Sequence, residues 1–160
     1  MELAPNLHRI GNDIVAVYLI SDTDGVTVID AGLPGHYRDL VRELALMGKT
    51  LADVRGLILT HGDSDHIGFA ERLRREYRVP VYVHSADAER AKGNAKGAMG
   101  KQQMNPAGLL SFVAYTLRKN GLRNNYLTEV VEARPGETLD LPGAPQIGRA
   151  SCRERVCESV

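Results

Sequence analysis

Residues 56–68 read GLILTHGDSDHIG. Gly56 to Thr60 is a short apolar run of the kind that forms a buried strand, and His61 to Gly68 is polar. His61, Asp63, Asp65 and His66 put four metal-capable side chains within six residues. Imidazole nitrogen and carboxylate oxygen suit Zn²⁺, and also Fe or Mn. On a helix, positions i, i+2, i+4 and i+5 scatter around the cylinder; on a strand they divide between its two faces. An irregular loop anchored by Leu57-Ile58-Leu59 can turn all four toward one point, with Gly62 and Gly68 supplying backbone freedom. Spacing alone leaves a second reading open, in which Asp65 caps the following helix and Asp63 with Ser64 closes an Asx-type turn.

Working outward, Phe69 to Tyr77 reads as a helix, with Ala70, Leu73 and Tyr77 on one side and Glu71/Arg75 and Arg72/Glu76 as i,i+4 pairs on the other. Pro80 ends it, and VYVH (81–84) is a further strand. Upstream, IVAVYLI (14–20) is β-branched and apolar, SDTDG (21–25) is a turn cluster, and VTVID (26–30) returns as a hairpin partner. That strand delivers Asp30 to a glycine-rich loop, AGLPG (31–35). Tyr37, Leu40, Val41 and Leu44 then form a helical stripe, with Gly48 as its stop. Strand–helix–strand alternation over 26–84 argues for an α/β protein. Residues 91–105 read as a loop whose lysines, Lys92, Lys96 and Lys101, solvate a linker or edge a substrate site. Asn105-Pro106 opens another helix, with Leu110, Val113, Ala114 and Leu117 as its apolar stripe and Leu109 and Phe112 beside them as packing residues. Thr128 to Ala133 is a candidate strand. His8 and His36 read as surface or capping groups, and His84 as structural.

Composition restricts the partners. The 160 residues hold 20 Lys+Arg against 20 Asp+Glu, so net charge gives no reason to expect nucleic acid or an anionic membrane, and a small-molecule substrate is the expected ligand. No apolar run approaches the ~20 residues that span a bilayer. The first ten residues, MELAPNLHRI, lack a basic region followed by an apolar one, so the expected compartment is the cytoplasm.

THGDSDHIG after an apolar strand, preceded by VIDAG, closely resembles the metallo-β-lactamase superfamily. That family's pattern is a strand ending in D-x-G, a helix, a second strand, then T-H-x-H-x-D-H-x-G. Asp30 and Gly32 match its first part; His61, Asp65, His66 and Gly68 match its second. VYVHSAD (81–87) also fits, and the resemblance covers roughly residues 7–143. It implies the first half of an αβ/βα sandwich, a mixed sheet with flanking helices. It also implies two divalent metal ions, zinc in the usual case, holding a hydroxide that attacks an ester, thioester, lactone, phosphodiester or lactam. A β-lactamase proper is the least expected of these, because no export signal is visible. By resemblance, His61 and the residue at 63 belong to a first metal site and Asp65 and His66 to a second. Asp65 also orients the nucleophile, and Asp30 supports the metal loop from behind.

Asp63 departs from the pattern, since the family usually has histidine there. A carboxylate is a competent but harder ligand, and it shifts preference toward Fe or Mn. Relatives with a carboxylate at this position include the flavodiiron proteins, so an iron-dependent oxidoreductase of the same fold is the alternative function. The family's third histidine, bridging aspartate and last histidine follow later in its pattern and do not appear here, which makes an inactive fragment the third reading. Residues 147–160 (IGRASCRERVCESV) show no period and hold both cysteines, Cys152 and Cys157. Their back-translation resembles sequencing-adapter DNA. The expected native portion is therefore 1–146, with 147–160 a non-native tail and a genuine disordered tail as the other reading. The strands Ile14–Ile20, Val26–Ile29 and Leu57–Leu59 are expected to leave one sheet face open.

Overall fold

The computed structural model describes residues 1–95, 106–122, 125–143 and 145. Its strands form one seven-stranded sheet in chain order. β1 (Glu2–Ala4), β2 (Leu7–Gly11), β3 (Ala16–Ser21) and β4 (Val26–Ile29) are antiparallel to one another. β5 (Val54–Leu59), β6 (Val81–His84) and β7 (Val131–Ala133) continue from β4 in parallel. The connections carry α1 (His36–Leu46), α2 (Ala70–Tyr77), α3 (Ala88–Ala91) and α4 (Pro106–Arg118). This is the mixed α/β sheet with flanking helices that the sequence led us to expect. None of the described helices is long and apolar enough to cross a membrane.

Alternation along the strands builds the core. Val17 and Leu19, Val26 and Val28, Leu57 and Leu59, and Val81 and Val83 share one face by register and are almost wholly buried. Tyr37, Leu40 and Leu44 of α1 and Ala70 and Leu73 of α2 join them in one apolar cluster. On the opposite face, Thr27 Oγ1 donates to the Pro142 carbonyl at 2.7 Å and Gly143 N–H donates to Asp22 Oδ2 at 2.9 Å. A Cβ at Gly56 would lie 2.7 Å from Leu141, which is seated there. The expectation of an open face is therefore corrected in part: residues 141–143 cover some of it.

Several local expectations shift. Asn12 Oδ1 accepts the N–H groups of Ile14 and Val15, so these residues turn the chain and the strand begins at Ala16. Val41 and Tyr77 face solvent, because α1 and α2 present narrower faces than their apolar residues suggest. Glu71 pairs with Arg74 rather than Arg75. On α4, Leu110, Val113, Ala114 and Leu117 are exposed, while the half-buried positions are Phe112, Tyr115, Thr116 and Lys119. Polar contacts made by Tyr115 and Lys119 set that orientation: Tyr115 Oη lies 2.6 Å from His36 Nε2 and Lys119 Nζ 2.5 Å from Asp39. Lys96, Lys101, Asn105, Cys152, Cys157 and the tail 147–160 lie outside the described residues, as does the side chain of Leu109.

The parallel order has one consequence for chemistry. It brings the carboxyl ends of β4, β5 and β6 to the same edge, where α/β sheets gather their ligand-binding loops.

Candidate metal centre

Asp30 follows β4 with φ +64°, a left-handed conformation unusual for a residue with a side chain. The strain is held by backbone bonds on both sides. Asp30 N–H donates to Ile58 O at 2.8 Å, Ala31 N–H to His66 O at 2.6 Å, and Gly68 N–H to Gly32 O at 2.7 Å. A Cβ at Gly68 would lie 2.3 Å from the Gly32 oxygen, so glycine alone permits this approach. The DAG loop and the HGDSDHIG loop are thus strapped together.

The buried Asp30 carboxylate accepts from Thr60 N–H at 2.8 Å, from the Thr60 hydroxyl and from His66 Nδ1 at 2.9 Å. A carboxylate only accepts, so His66 carries its proton on Nδ1 and turns Nε2 outward. Thr60 donates to Asp30, which leaves its oxygen to accept from His61 Nδ1 at 3.0 Å and gives His61 the same tautomer. The two imidazoles lie 3.9 Å apart between centroids. Nε2 of His66 faces Asp65 Oδ2 at 3.6 Å, and Nε2 of His61 faces Asp63 Oδ2 at 3.4 Å. Burial, together with His66 beside it, lowers the pKa of His61. Burial also acts to lower that of His66, but the Asp30 hydrogen bond and the nearby carboxylates outweigh it, and the net shift is upward.

His61, Asp65 and His66 each offer a ligand atom within 4.8 Å of the others. Asp63 stands to one side of this group: its Oδ1 lies 3.8 Å from Arg90 Nη1. The donor set fits a divalent cation, since both histidines have one nitrogen tied to a second partner and the other free as a lone pair beside carboxylates. The capping alternative finds no support for Asp65. Phe69 stands at the N-cap of α2, and no side chain caps that helix.

Other predicted positions resolve differently. His36 is wholly buried rather than on the surface; its Nδ1 accepts from Leu33 N–H at 2.9 Å. His8 is largely buried and bonds Glu43 at 2.8 Å. His84 is structural, its Nδ1 accepting from Ala86 N–H at 3.1 Å. Lys92 pairs with Glu89. Three residues around the site escaped the sequence reading: Thr60, Asp87 and Arg90. Thr60 was legible as the first letter of the motif, but nothing local marks Arg90.

The profile of the metallo-beta-lactamase superfamily matches residues 10–148. The chain is 35% identical over 89 residues to the probable metallo-hydrolase YflN of Bacillus subtilis, an alignment covering 54% of this chain and 34% of that protein. Among solved structures, it is similar to a Cronobacter sakazakii metallo-beta-lactamase with a HARLDQ motif, at 22% identity and a TM-score of 0.65 over 89% of this chain and 49% of that one. It is also similar to the Rm3 metallo-beta-lactamase, at 20% identity and a TM-score of 0.63 over 85% of this chain and 45% of that one. The chain thus spans about a third of the curated relative and about half of each solved structure. Since the profile match runs from β2 past the last described residue and takes in both strapped loops, the chain belongs to the metallo-beta-lactamase superfamily.

Proposed function

We propose that this chain carries metal-binding residues of a metal-dependent hydrolase acting on an ester, thioester, lactone, phosphodiester or lactam. The observation that carries the reading is the pair of histidines with Nδ1 tied to Thr60 and Asp30 and Nε2 turned toward carboxylates. His61 and Asp63 would hold one ion and Asp65 and His66 a second, zinc first, with Fe or Mn as the alternatives that a carboxylate at 63 also suits. Such ions supply Lewis acidity, which lowers the pKa of water and polarises the oxygen of the electrophile. Asp65 is partly open to solvent and oriented beside His66, so it can accept a hydrogen bond from an attacking water and align it. Asp30 and Thr60 hold the imidazole rings in the ligating tautomer. The curated relative described as a probable metallo-hydrolase supports the reaction type.

The test is equilibrium metal uptake by the 160-residue chain. We expect divalent zinc to bind and H61A and H66A to weaken binding by at least about tenfold, the loss typical of removing even an outer partner of a ligand. Uptake unchanged in both variants would remove the site. Asp63 favours one second reading, an iron-dependent oxidoreductase of the same fold. Redox-active iron retained on purification, in place of zinc, would select it.

A further inference from the structure

A cavity of about 420 Å³ lies between β2, α1 and α4, and none of His61, Asp63, Asp65 and His66 lines it. Four side-chain cations, Arg9, Arg42, Arg118 and Lys119, stand on its wall against two carboxylates, Asp39 and Glu43. Both carboxylates are engaged. Lys119 Nζ lies 2.5 Å from Asp39 Oδ2, and Glu43 accepts from His8 Nδ1 at 2.8 Å and from the Met1 amino group. Arg42 and Arg118 are exposed and have no ion pair among the described residues. Arg9 Nη2 donates to Asp13 Oδ1 at 2.8 Å, a carboxylate almost wholly in solvent, while Arg9 Nε is buried with no acceptor among the described residues. Tyr115 adds a neutral donor. His36 Nδ1 accepts from Leu33 N–H, so this neutral ring carries its proton on Nε2 and donates it to Tyr115 Oη at 2.6 Å. The hydroxyl proton of Tyr115 is therefore left to donate elsewhere on the cavity wall. Burial and then Asp39 raise the pKa of Tyr115, which keeps that proton in place, and the Arg118 charge acts on the same hydroxyl.

We propose that this cavity binds the phosphate group of a small molecule, with Arg9, Arg42 and Arg118 as its charged donors and Tyr115 as its neutral one. Guanidinium groups match the oxygens of phosphate in paired, charge-assisted hydrogen bonds. The wall carries two more cations than carboxylates, which balances a dianion. A carboxylate ligand, with one charge and two oxygens, would leave several of these donors without a partner. The volume lies in the range of small-molecule sites. The chain as a whole has no net charge, so it lacks the broad positive field that draws a nucleic acid, and the local excess suits a small anion. The inference stands apart from the metal-binding reading above.

The experiment is a titration of the ¹⁵N-labelled 160-residue chain with inorganic phosphate at about pH 8, where phosphate is doubly charged. Calorimetry gives the affinity, and the arginine Nε–H resonances give the place. Saturable binding is expected, with the Arg9 Nε–H signal among those that shift. R42Q and R118Q should each weaken binding by about tenfold, the scale of a lost charge-assisted hydrogen bond. Both residues are exposed, and circular dichroism checks that the variants fold. H61A should bind phosphate as the wild type does, and acetate at equal ionic strength should bind at least about tenfold more weakly than phosphate. Glycerol 3-phosphate separates two sources of the group. Tighter binding than inorganic phosphate identifies an ester whose body fills the cavity, and equal binding identifies the free ion. Absence of saturable binding, unchanged affinity in both arginine variants, or equal affinity for acetate overturns the inference. So does loss of binding in H61A with R42Q and R118Q unaffected, which would place the anion on the metal loop. The shift at Arg9 needs no variant, and its absence in a saturated wild-type chain overturns the site by itself.

Discussion

His36 shows how one side chain can tie a distant helix to the loop beside the site. Its Nδ1 accepts from Leu33 in the DAGLPG loop, its Nε2 meets Tyr115 of α4, and the ring is fully buried. Burial, reinforced by Lys119, lowers its pKa from 6.5 to about 4. The unfolded chain therefore binds a proton that the folded chain refuses between those values. The stability His36 confers is complete above pH 6.5 and is lost as pH falls toward 4, by at most about 3 kcal/mol. Chemical denaturation at pH 7 and pH 4.5 should show a larger acid loss for the wild type than for H36Q; equal losses would show that another group governs the acid response.

At the scale of elements, α2 is joined to the strand that ends the sheet. Glu71 takes a two-point contact from Arg74, at 2.9 and 3.0 Å, and accepts from the Thr128 hydroxyl at 3.0 Å. These bonds hold residue 128 outside the strand, which is why β7 starts at Val131 and not at the β-prone Thr128. E71Q should cost about 1–2 kcal/mol, because Arg74 keeps its place but loses a charged acceptor. Hydrogen exchange should then quicken at the amides of Val131–Ala133 and stay unchanged in β4 and β5; a uniform change across the sheet would argue against a local clamp. On α4 the same kind of polar anchoring, through Tyr115 and Lys119, overrides apolar periodicity and leaves Leu110 and Leu117 in solvent.

Across the whole molecule, the sheet is covered unequally. Helices cover the centre of one face, whereas residues 141–143 lie on part of the other, where Ile58 is buried and Ile20 and Ile29 are half-buried. Ending the chain at residue 136 removes Leu141 and Pro142 from that face and should cause self-association detectable by light scattering, as exposed apolar patches generally do. Ending it at 146 should leave the melting transition of the 160-residue chain unchanged, as expected if 147–160 are foreign to the domain. A lower melting temperature for 1–146 would assign those residues a structural role.

The sequence by itself determined the order of strands and helices from β3 onward except α3, the strand-end aspartate, and the loop on which histidines and aspartates assemble, whereas β1, β2 and α3 went unread. Those features rest on local periods and on residue types whose backbone or ligand preferences act over a few positions. Even Gly68 was legible there, though the Gly32 oxygen that demands it was not. Tertiary structure alone decided which nitrogen of each histidine is tied, since Asp30 and Thr60 meet only when β4 and β5 pair in parallel. It also decided which face of α4 turns inward, what lies on the second sheet face, and that Arg90 stands beside Asp63. Each of these is a contact between segments far apart in the chain, chosen by crossover geometry and polar pairing, and no local pattern of hydrophobicity encodes such a choice.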